Sequence, residues 1–241
     1  MTLIGEGESG KVYLNYCETT VSKFFKKKSV YEHEKHILSI LTKKNICNHA
    51  EIVSYNDDQN MIETKYITNK FNTTLQNLCG TSEFCEYDRD PVLMNNRVTT
   101  TPITIARMIY KILLILDSLH KHEIIHGDFK DKNIMLGMDG KSKYQVDYEP
   151  FVIDFDLCVV EFDDYDYLYE LMCDDLHKMK ILIIQLICNE SYITALHTYK
   201  HNMGNIKKDT PYLYKLLSNK KYNLDKLVEY IMIKSEWDPQ R

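Results

Sequence analysis

The segment from His126 to Asn133 narrows the choice of fold and chemistry more than any other part of this 241-residue chain. It reads HGDFKDKN, so that Lys130 follows Asp128 by two residues and Asn133 follows it by five. Phosphoryl transfer needs an acceptor for the proton of the attacking hydroxyl, a cation beside the migrating group and an oxygen ligand for a metal ion. One short loop can supply all three, so the segment predicts phosphoryl-transfer chemistry.

A glycine-rich segment near the N-terminus places Gly5, Gly7, Gly10 and Val12 in the pattern G-x-G-x-x-G-x-V. Dinucleotide-binding folds share the glycine spacing, but they need a strand before it and a helix after it. Only four residues precede Gly5, and the residues after Val12 have strand character. A P-loop is disfavoured because Val12 stands where that motif needs Ser or Thr. The segment therefore predicts a β-hairpin folded over phosphate groups.

A third segment is the apolar run Phe151–Ile153, which ends in the pair Asp154-Phe155. Together the three segments resemble the protein-kinase superfamily, in which a glycine-rich loop, a catalytic loop H-x-D-x-K-x-x-N and an Asp-Phe-Gly element follow in this order. The resemblance implies an α+β fold of two lobes. Residues 1–67 would form a small N-lobe around an antiparallel sheet, and residues 68–241 a mainly helical C-lobe.

The resemblance also implies a role for each motif residue, with ATP and Mg²⁺ as cofactors. The catalytic residues would be Asp128 as the base, Lys130 beside the γ-phosphate, and Asn133. The metal ligands would be Asn133 and Asp154. The remaining contacts to ATP would come from Gly5, Gly7, Gly10 and Val12, and from a lysine and a glutamate elsewhere in the N-lobe.

That lysine should lie on the strand after the hairpin and pair with a glutamate on the next helix. Lys23 has apolar neighbours on both sides, as a buried strand requires. Glu34 is followed at +3, +4 and +7 by apolar residues, which puts it on a packed helical face. We therefore predict the pair Lys23–Glu34, while Glu32 and the lysines at 26–28 are rivals in the sequence.

The rest of the chain is predicted mainly from apolar spacing. A helix is expected from Ile103, leading into the catalytic loop, and helices are expected from Leu168 to the end, with breaks at Gly204 and Pro211. Asp175 resembles the acid that opens the central helix of the kinase C-lobe and braces the catalytic loop; the alternative is a favourable charge at a helix N-terminus. Residues 64–68 would be the hinge, 72–102 a partly helical insertion or loop, and 138–141 a hairpin turn.

Three departures from the kinase pattern bear on activity. Asp156 replaces the glycine of Asp-Phe-Gly, where unusual backbone angles are expected, and Gly127 replaces an arginine that anchors phosphorylated activation loops in many kinases. The interval from Asp154 to Asp175 is short for an activation segment and contains no A-P-E motif. This shortness resembles the compact kinases of the tRNA-threonylcarbamoyl machinery and the aminoglycoside phosphotransferases. Lys130 after His-Gly-Asp instead resembles serine/threonine kinases of the casein-kinase and vaccinia-related branch.

Composition sets broader limits. The formal net charge is −5 and no basic stripe is interleaved with aromatic residues, so nucleic acid is not expected as a direct partner. Seven cysteines without C-x-x-C pairs predict reduced thiols in the cytoplasm or nucleus. No signal peptide or bilayer-spanning run is expected. The small size and the abundance of Asn, Lys, Tyr and Ile suggest a viral origin, in which case the compartment would be that of a host cell.

Residues 161–175 contain seven acidic residues and no Lys or Arg. If this stretch lies beside the active site, its field should favour a basic protein substrate, although a solvated acidic loop would look the same in sequence. The predicted function is ATP-dependent phosphorylation of serine or threonine hydroxyls in proteins. The alternatives are a small-molecule or atypical compact kinase, and a pseudokinase that acts as a binding module. The sequence does not indicate an oligomeric state.

Overall fold

The N-terminal part of the protein is a five-stranded antiparallel sheet with one helix packed on it. The computed structural model describes residues 1–67, 74–75, 102–138, 148–188 and 199–236. The sheet has the order β1-β2-β3-β5-β4, and the helix α1 joins β3 to β4. The elements are β1 (Thr2–Glu6), β2 (Gly10–Leu14), β3 (Thr20–Phe25), α1 (Lys28–Lys43), β4 (Ile52–Asn56) and β5 (Met61–Lys65).

Helix α1 packs through the apolar face that its sequence spacing predicts. Ile37, Leu38 and Leu41 are buried, and Glu34 lies on the same face. The helix ends at Lys43. Shortly after it the chain enters the left-handed region at Asn45, a residue type that tolerates positive φ better than most. The buried face turns Glu34 towards β3, where the nucleotide lysine was predicted.

The elements of the remaining described chain are helices, one 3₁₀ turn and a short two-stranded sheet. Its elements are α2 (Pro102–Lys121), a 3₁₀ turn (Asp131–Asn133), β6 (Ile134–Met138), β7 (Tyr148–Val152), α3 (Tyr165–Cys188), α4 (Tyr199–Asp209), α5 (Pro211–Leu217) and α6 (Leu224–Glu236). Strands β6 and β7 pair antiparallel. The predicted α+β architecture, with a small antiparallel sheet followed by a helical C-lobe, is confirmed.

Helices α2 and α3 form the centre of the C-lobe. The apolar residues of α2 from Met108 to Leu119 recur at helical spacing and are buried, as predicted, and α2 packs against α3, α6 and β7. Helix α3 is buried around most of its second half, where Met179, Leu182 and Ile183 are fully enclosed. Each such side chain contributes about 1.5–3 kcal/mol through burial. The catalytic-loop segment thus lies between two firmly packed helices.

Two predictions about helix ends are wrong. Helix α3 begins at Tyr165, so Asp175 does not open it and carries no N-terminal charge role. Gly204 does not break a helix but lies inside α4, where it faces open space. A glycine inside a helix costs about 1 kcal/mol of stability relative to alanine, which the packed C-lobe tolerates. The break at Pro211 is confirmed, because this proline occupies the first turn of α5, where its missing N–H has no helical acceptor to lose.

Several predictions lie wholly or partly outside the described residues. The insertion at 72–102 falls mostly there, as do the turn at 139–141 and the end of the hinge at Thr68. The boundary of the lobes at residue 67 therefore stays a prediction. None of the helices in the described ranges has the length and apolar character that crossing a bilayer requires.

Candidate active site

The glycine-rich segment forms the predicted hairpin between β1 and β2. Gly5 pairs with Val12 across the two strands. A Cβ atom at Gly10 would stand 2.2 Å from the carbonyl oxygen of Phe24, so the close approach of β2 to β3 requires glycine at this position. Gly7 lies at the tip with open space around it, and Lys26 Nζ donates a hydrogen bond of 2.8 Å to its carbonyl oxygen. Lys26 therefore supports the loop from outside.

Lys23 lies at the centre of the candidate nucleotide site. It is on β3, opposite Val12 of β2 and Ile62 of β5. Its Nζ atom lies 2.7 Å from Glu34 Oε2 and 2.6 Å from Asp154 Oδ1. The structure thus brings together the predicted strand lysine, helix glutamate and metal-binding aspartate, which are far apart in sequence.

Burial and charge act in opposite directions on this cluster. Burial disfavours the ammonium of Lys23, but the carboxylates of Glu34 and Asp154 outweigh it and raise the lysine pKa. Burial also raises the pKa of Glu34 to about 7, although Lys23 favours the carboxylate. The rival acid Glu32 is exposed on the opposite face of α1. The geometry therefore selects Lys23 and Glu34 over their rivals as the buried pair.

The catalytic-loop residues converge on the carboxylate of Asp128. Lys130 Nζ lies 2.6 Å from Asp128 Oδ2, and Asn133 Nδ2 donates hydrogen bonds of 2.9 Å to the same oxygen and to the Asp128 carbonyl. Asn133 is buried in the 3₁₀ turn, whereas a quarter of the Asp128 side chain is exposed. The loop holds one accessible carboxylate in a fixed orientation, beside one cation and one amide.

His126 fixes the backbone of the catalytic loop through both of its ring nitrogens. Its Nδ1 atom accepts the N–H of Asp128 at 3.2 Å, and its Nε2–H donates to the carbonyl oxygen of Ile153 at 3.2 Å. Both ring nitrogens are therefore satisfied by one neutral tautomer. Burial lowers the pKa of His126, which keeps the ring neutral. The ring also packs against Phe129 and Phe155, so it ties the loop to the Asp154-Phe155 segment.

Asp175 braces the backbone of the loop, as the kinase resemblance implied, from the middle of α3. Its carboxylate accepts the N–H groups of His126 at 2.8 Å and of Gly127 at 3.0 Å. Lys178, one turn further along α3, donates to the Gly127 carbonyl at 2.6 Å. The sequence reasoning missed Lys178, although its i+3 spacing from Asp175 places both on one helical face.

The glycine at position 127 has a steric cause. Gly127 has φ of +78°, and a Cβ atom there would stand 2.4 Å from the carbonyl oxygen of Leu157. An arginine at this position would collide with the segment that follows Asp154-Phe155. Glycine in place of the expected arginine therefore has a steric reason, the close approach of the Leu157 carbonyl. It does not reflect only the absence of an anchor for a phosphorylated activation loop.

Asp156 does not adopt the backbone angles that were expected for the replaced glycine. The positive φ occurs two residues earlier, at Asp154, with φ of 65°. Asp156 is half-buried, and its pKa is raised by burial and by the neighbouring Asp154 carboxylate. The replacement therefore adds negative charge near the site without forcing strained dihedral angles on the backbone at position 156.

The chain after Asp156 contacts both lobes. Val159 pairs with Ile125 as an isolated antiparallel bridge, and His33 of α1 donates from Nε2 to the carbonyl oxygen of Cys158 at 2.8 Å. Sequence reasoning gave no role to His33. Further on, Asp163, Asp164 and Asp166 are exposed, which fits both interpretations of the acidic stretch.

The donor set fits the implied cofactors. Asn133 and Asp154 offer amide and carboxylate oxygens, which are the hard ligands that Mg²⁺ takes, usually one or two from protein with the rest from phosphates and water. The described residues contain no cluster of three or more His, Cys, Asp or Glu side chains able to hold a metal by themselves. That finding is compatible with a metal held jointly by protein and nucleotide phosphates.

The match to a protein kinase domain model extends over residues 1–166. It includes the hairpin, Lys23, Glu34, the catalytic loop and Asp154, and it covers more than half of the chain. The chain therefore belongs to the protein kinase family.

Among individual proteins the chain is similar to cyclin-dependent kinase 9. It is 29% identical over 143 residues to the enzyme of Danio rerio. It is 28% identical over 151 residues to cyclin-dependent kinase 9-A of Xenopus laevis, and 28% identical over 141 residues to the Homo sapiens protein. Each match takes in 58% of this chain and 38% of the relative, so the chain spans well under half the length of these relatives.

Proposed function

We propose that this protein transfers the γ-phosphoryl group of ATP to serine or threonine hydroxyls of protein substrates. The observation that carries the proposal is the fixed carboxylate of Asp128, which Lys130 and Asn133 hold at the accessible edge of the catalytic loop. Asp128 would orient the hydroxyl and accept its proton. Lys130 would then stabilise negative charge on the transferring group as it develops.

ATP and Mg²⁺ would occupy the space between the hairpin and the catalytic loop. ATP supplies the phosphoryl group, and the metal ion neutralises the phosphate charge. Lys23, fixed by Glu34, would bind the α- and β-phosphates, while Asp154 and Asn133 would hold the metal ion. The hairpin with Gly5, Gly7, Gly10 and Val12 would cover the nucleotide. With a metal ion bound, the carboxylate of Asp154 would be shared between that ion and Lys23.

The segment between the metal-binding aspartate and α3 bears on the substrate. Because α3 begins at Tyr165, only a short stretch of chain after Asp154 is left to dock a peptide. Recognition would then depend on charge and on a folded substrate surface. The exposed acids Asp163, Asp164 and Asp166 favour basic proteins. This preference should weaken as salt is added, because dissolved ions screen the attraction between exposed charges.

The relatives are named cyclin-dependent kinases, so the next question is whether this chain needs a cyclin to hold α1 in place. In this chain α1 is held by contacts within the chain: His33 to the Cys158 carbonyl, Lys35 to Asp57 at 2.6 Å, and Tyr31 to the same Asp57. The exposed face of α1 carries polar residues such as Glu32 and His36. We therefore propose that the Lys23–Glu34 pair forms in this chain without a cyclin. We also propose, from the unpaired pattern of the cysteines in the sequence, that the protein acts on intracellular substrates.

The test is phosphoryl transfer by purified protein to itself, to basic histone and to acidic casein. We expect transfer to histone at low salt, its loss in Asp128→Ala, and unchanged transfer in Asp58→Asn, a charge-removing control at an exposed position remote from the loop. The triple replacement of Asp163, Asp164 and Asp166 by Asn should reduce the histone preference and spare ATP hydrolysis.

The outcomes separate the alternatives. Thermal stabilisation by ATP without any transfer would identify a pseudokinase binding module. Transfer to a cationic small molecule in preference to both proteins would identify a small-molecule kinase. Equal rates on casein and histone at low salt would contradict the proposed role of the acidic stretch.

A further inference from the structure

A cavity of about 680 Å³ lies between α3, α4 and α5, and no residue of the catalytic loop lines it. Its apolar wall includes Leu176, Met203 and Leu217, which are buried. Five lysines line it, and no aspartate or glutamate is among its lining residues: Lys180, Lys200, Lys207, Lys220 and Lys221. We call this cavity the lysine pocket. All its lining residues lie beyond residue 166, where the match to the kinase domain model ends.

Lys180 distinguishes the pocket from an ordinary basic surface. Only 4% of this residue is exposed, and its Nζ atom donates one hydrogen bond, of 2.7 Å, to the carbonyl oxygen of Asn219. A lysine ammonium has three N–H donors. Neither a second acceptor nor a carboxylate partner for it occurs within the described ranges. Burial lowers the pKa of Lys180 to about 8, because its ammonium has lost water; the neighbouring Cys173 opposes this shift but does not cancel it.

An unpaired buried cation destabilises a fold, so this arrangement calls for an external anion. Five ammonium groups match the charge of about three phosphate groups, since each phosphate monoester carries about −1.5 to −2 at neutral pH. Lysine binds phosphate as a point charge, whereas planar carboxylates favour the forked donors of arginine. The cavity volume falls within the range of about 300–1,000 Å³ that is usual for small-molecule sites.

We propose that the lysine pocket binds a compact ligand that carries several phosphate groups, with Lys180 as the buried anchor. Lys200 and Lys207 approach from α4, and Lys220 and Lys221 from the chain after α5. The ligand is either a soluble phosphorylated molecule or the headgroup of a phosphorylated lipid, and the chemistry recognised is the same. This site is separate from the proposed ATP site and does not depend on kinase activity.

The first experiment uses inositol hexakisphosphate as a soluble probe, with uncharged myo-inositol as its control, in calorimetry and thermal unfolding without Mg²⁺. We expect binding of the hexakisphosphate alone, and a rise in Tm of about 5 °C or more at about a hundred times Kd. Lys200→Gln combined with Lys207→Gln should weaken binding at least tenfold. The matched control is Lys208→Gln combined with Lys215→Gln, which removes the same charge from exposed lysines outside the pocket and should change Kd less than twofold.

The second variant, Lys180→Met, distinguishes a lysine that binds a ligand from a lysine that only stabilises the fold. Methionine keeps the length and removes the buried charge, and the carbonyl of the exposed Asn219 can turn to water. Without ligand, we expect a Tm equal to or above that of the wild type; with the probe, at least a tenfold loss of affinity. A lowered Tm with unchanged affinity would overturn the proposal, as would no binding by the wild type or equal weakening by the control pair.

Vesicles separate the two sources of phosphate. Co-sedimentation with vesicles that contain phosphatidylinositol bisphosphate, lost in Lys180→Met, would assign the pocket to a lipid headgroup. Binding of the soluble probe without vesicle association would assign it to a soluble ligand. Vesicle association that survives in the Lys200→Gln and Lys207→Gln variant, without soluble binding, would overturn the proposed site.

Discussion

Lys23 and Lys180 are both largely buried, yet their ammonium groups have different partners. Lys23 lies between two carboxylates at 2.7 and 2.6 Å, which raise its pKa. Lys180 has a single carbonyl oxygen, and its pKa falls to about 8. The first cation is neutralised within the chain, and in the proposed function it exchanges one partner for a nucleotide phosphate. The second has no carboxylate partner among the described residues, and in our proposal it binds an anion from outside the chain.

The largest expected effect comes from removing the carboxylate of Asp154, which contacts Lys23 and is the proposed ligand of the metal ion. Asp154→Asn should reduce phosphoryl transfer by about 10³-fold or more while the fold stays intact, because Asn also tolerates the positive φ at this position. Steady-state kinetics and thermal unfolding measure the two effects. Asp156→Asn removes the same charge two residues away and is the control; unchanged turnover in Asp154→Asn would remove Asp154 from the metal site.

Lys23→Met tests the role of the paired buried lysine directly. Transfer should fall by about 10²–10³-fold, as for the loss of one preorganised donor at the reacting group. The free energy of unfolding should fall by about 1 kcal/mol or more, because Glu34 loses its buried partner. Lys180→Met, by contrast, is expected to leave Tm equal to or above that of the wild type. Lys27→Met is the control on the exposed chain before α1, and if it abolished transfer instead, the assignment of Lys23 would be wrong.

A third prediction concerns pH. The pKa of Glu34 is raised by burial to about 7, so transfer should increase as pH rises through 7 and the ionised Glu34 pairs with Lys23. The folded state holds this proton more tightly than the unfolded chain. The contribution of Glu34 to stability should therefore decline as pH rises from about 4.5 to 7. Glu34→Gln should lower activity and flatten this limb of the profile, whereas the exposed Glu32→Gln should leave the limb in place.

The smallest effect is expected at Asp156. Replacement by glycine removes a carboxylate whose pKa the Asp154 charge helps to raise, and the backbone there has no positive φ for glycine to relieve. Activity with Mg²⁺ should be preserved or rise a few-fold, and stability should fall by about 0.5–1 kcal/mol because glycine is more flexible when unfolded. Titration with Mg²⁺ and Mn²⁺ checks this. A marked drop in activity with a changed metal preference would make Asp156 a ligand.

The sequence predicted those parts of the site that short-range spacing determines. The hairpin glycines and the HGDFKDKN segment are patterns a few residues long. The Lys23–Glu34 pair was predicted from the kinase resemblance together with apolar spacing, and in the structure Lys23 Nζ lies 2.7 Å from Glu34 Oε2. The steric need for Gly127 could not be predicted, because it arises from the carbonyl of Leu157, which is distant in sequence. Helices were predicted from Leu168 onward, close to the observed start of α3 at Tyr165. The opening role of Asp175 was wrong, because the first turns of α3 are acidic and aromatic and lack the apolar spacing that marks its second half.

The lysine pocket illustrates the same limit for binding sites. Its lysines are spread from α3 to the chain after α5, and each looks like a solvated surface charge in the sequence. What distinguishes this group of lysines from an ordinary charged surface is the burial of Lys180. That burial depends on how α3, α4 and α5 pack together, which no local pattern specifies.

The anchoring of the catalytic loop on α3 has a consequence for hydrogen exchange. The amide protons of His126 and Gly127 are bound to the carboxylate of Asp175, a side chain of α3 with no exposed surface. Loops normally exchange these protons through small local openings. Here exchange would require Asp175 to leave the core, so both amides should be protected almost as strongly as the interior of α3, and the loop should unfold together with that helix.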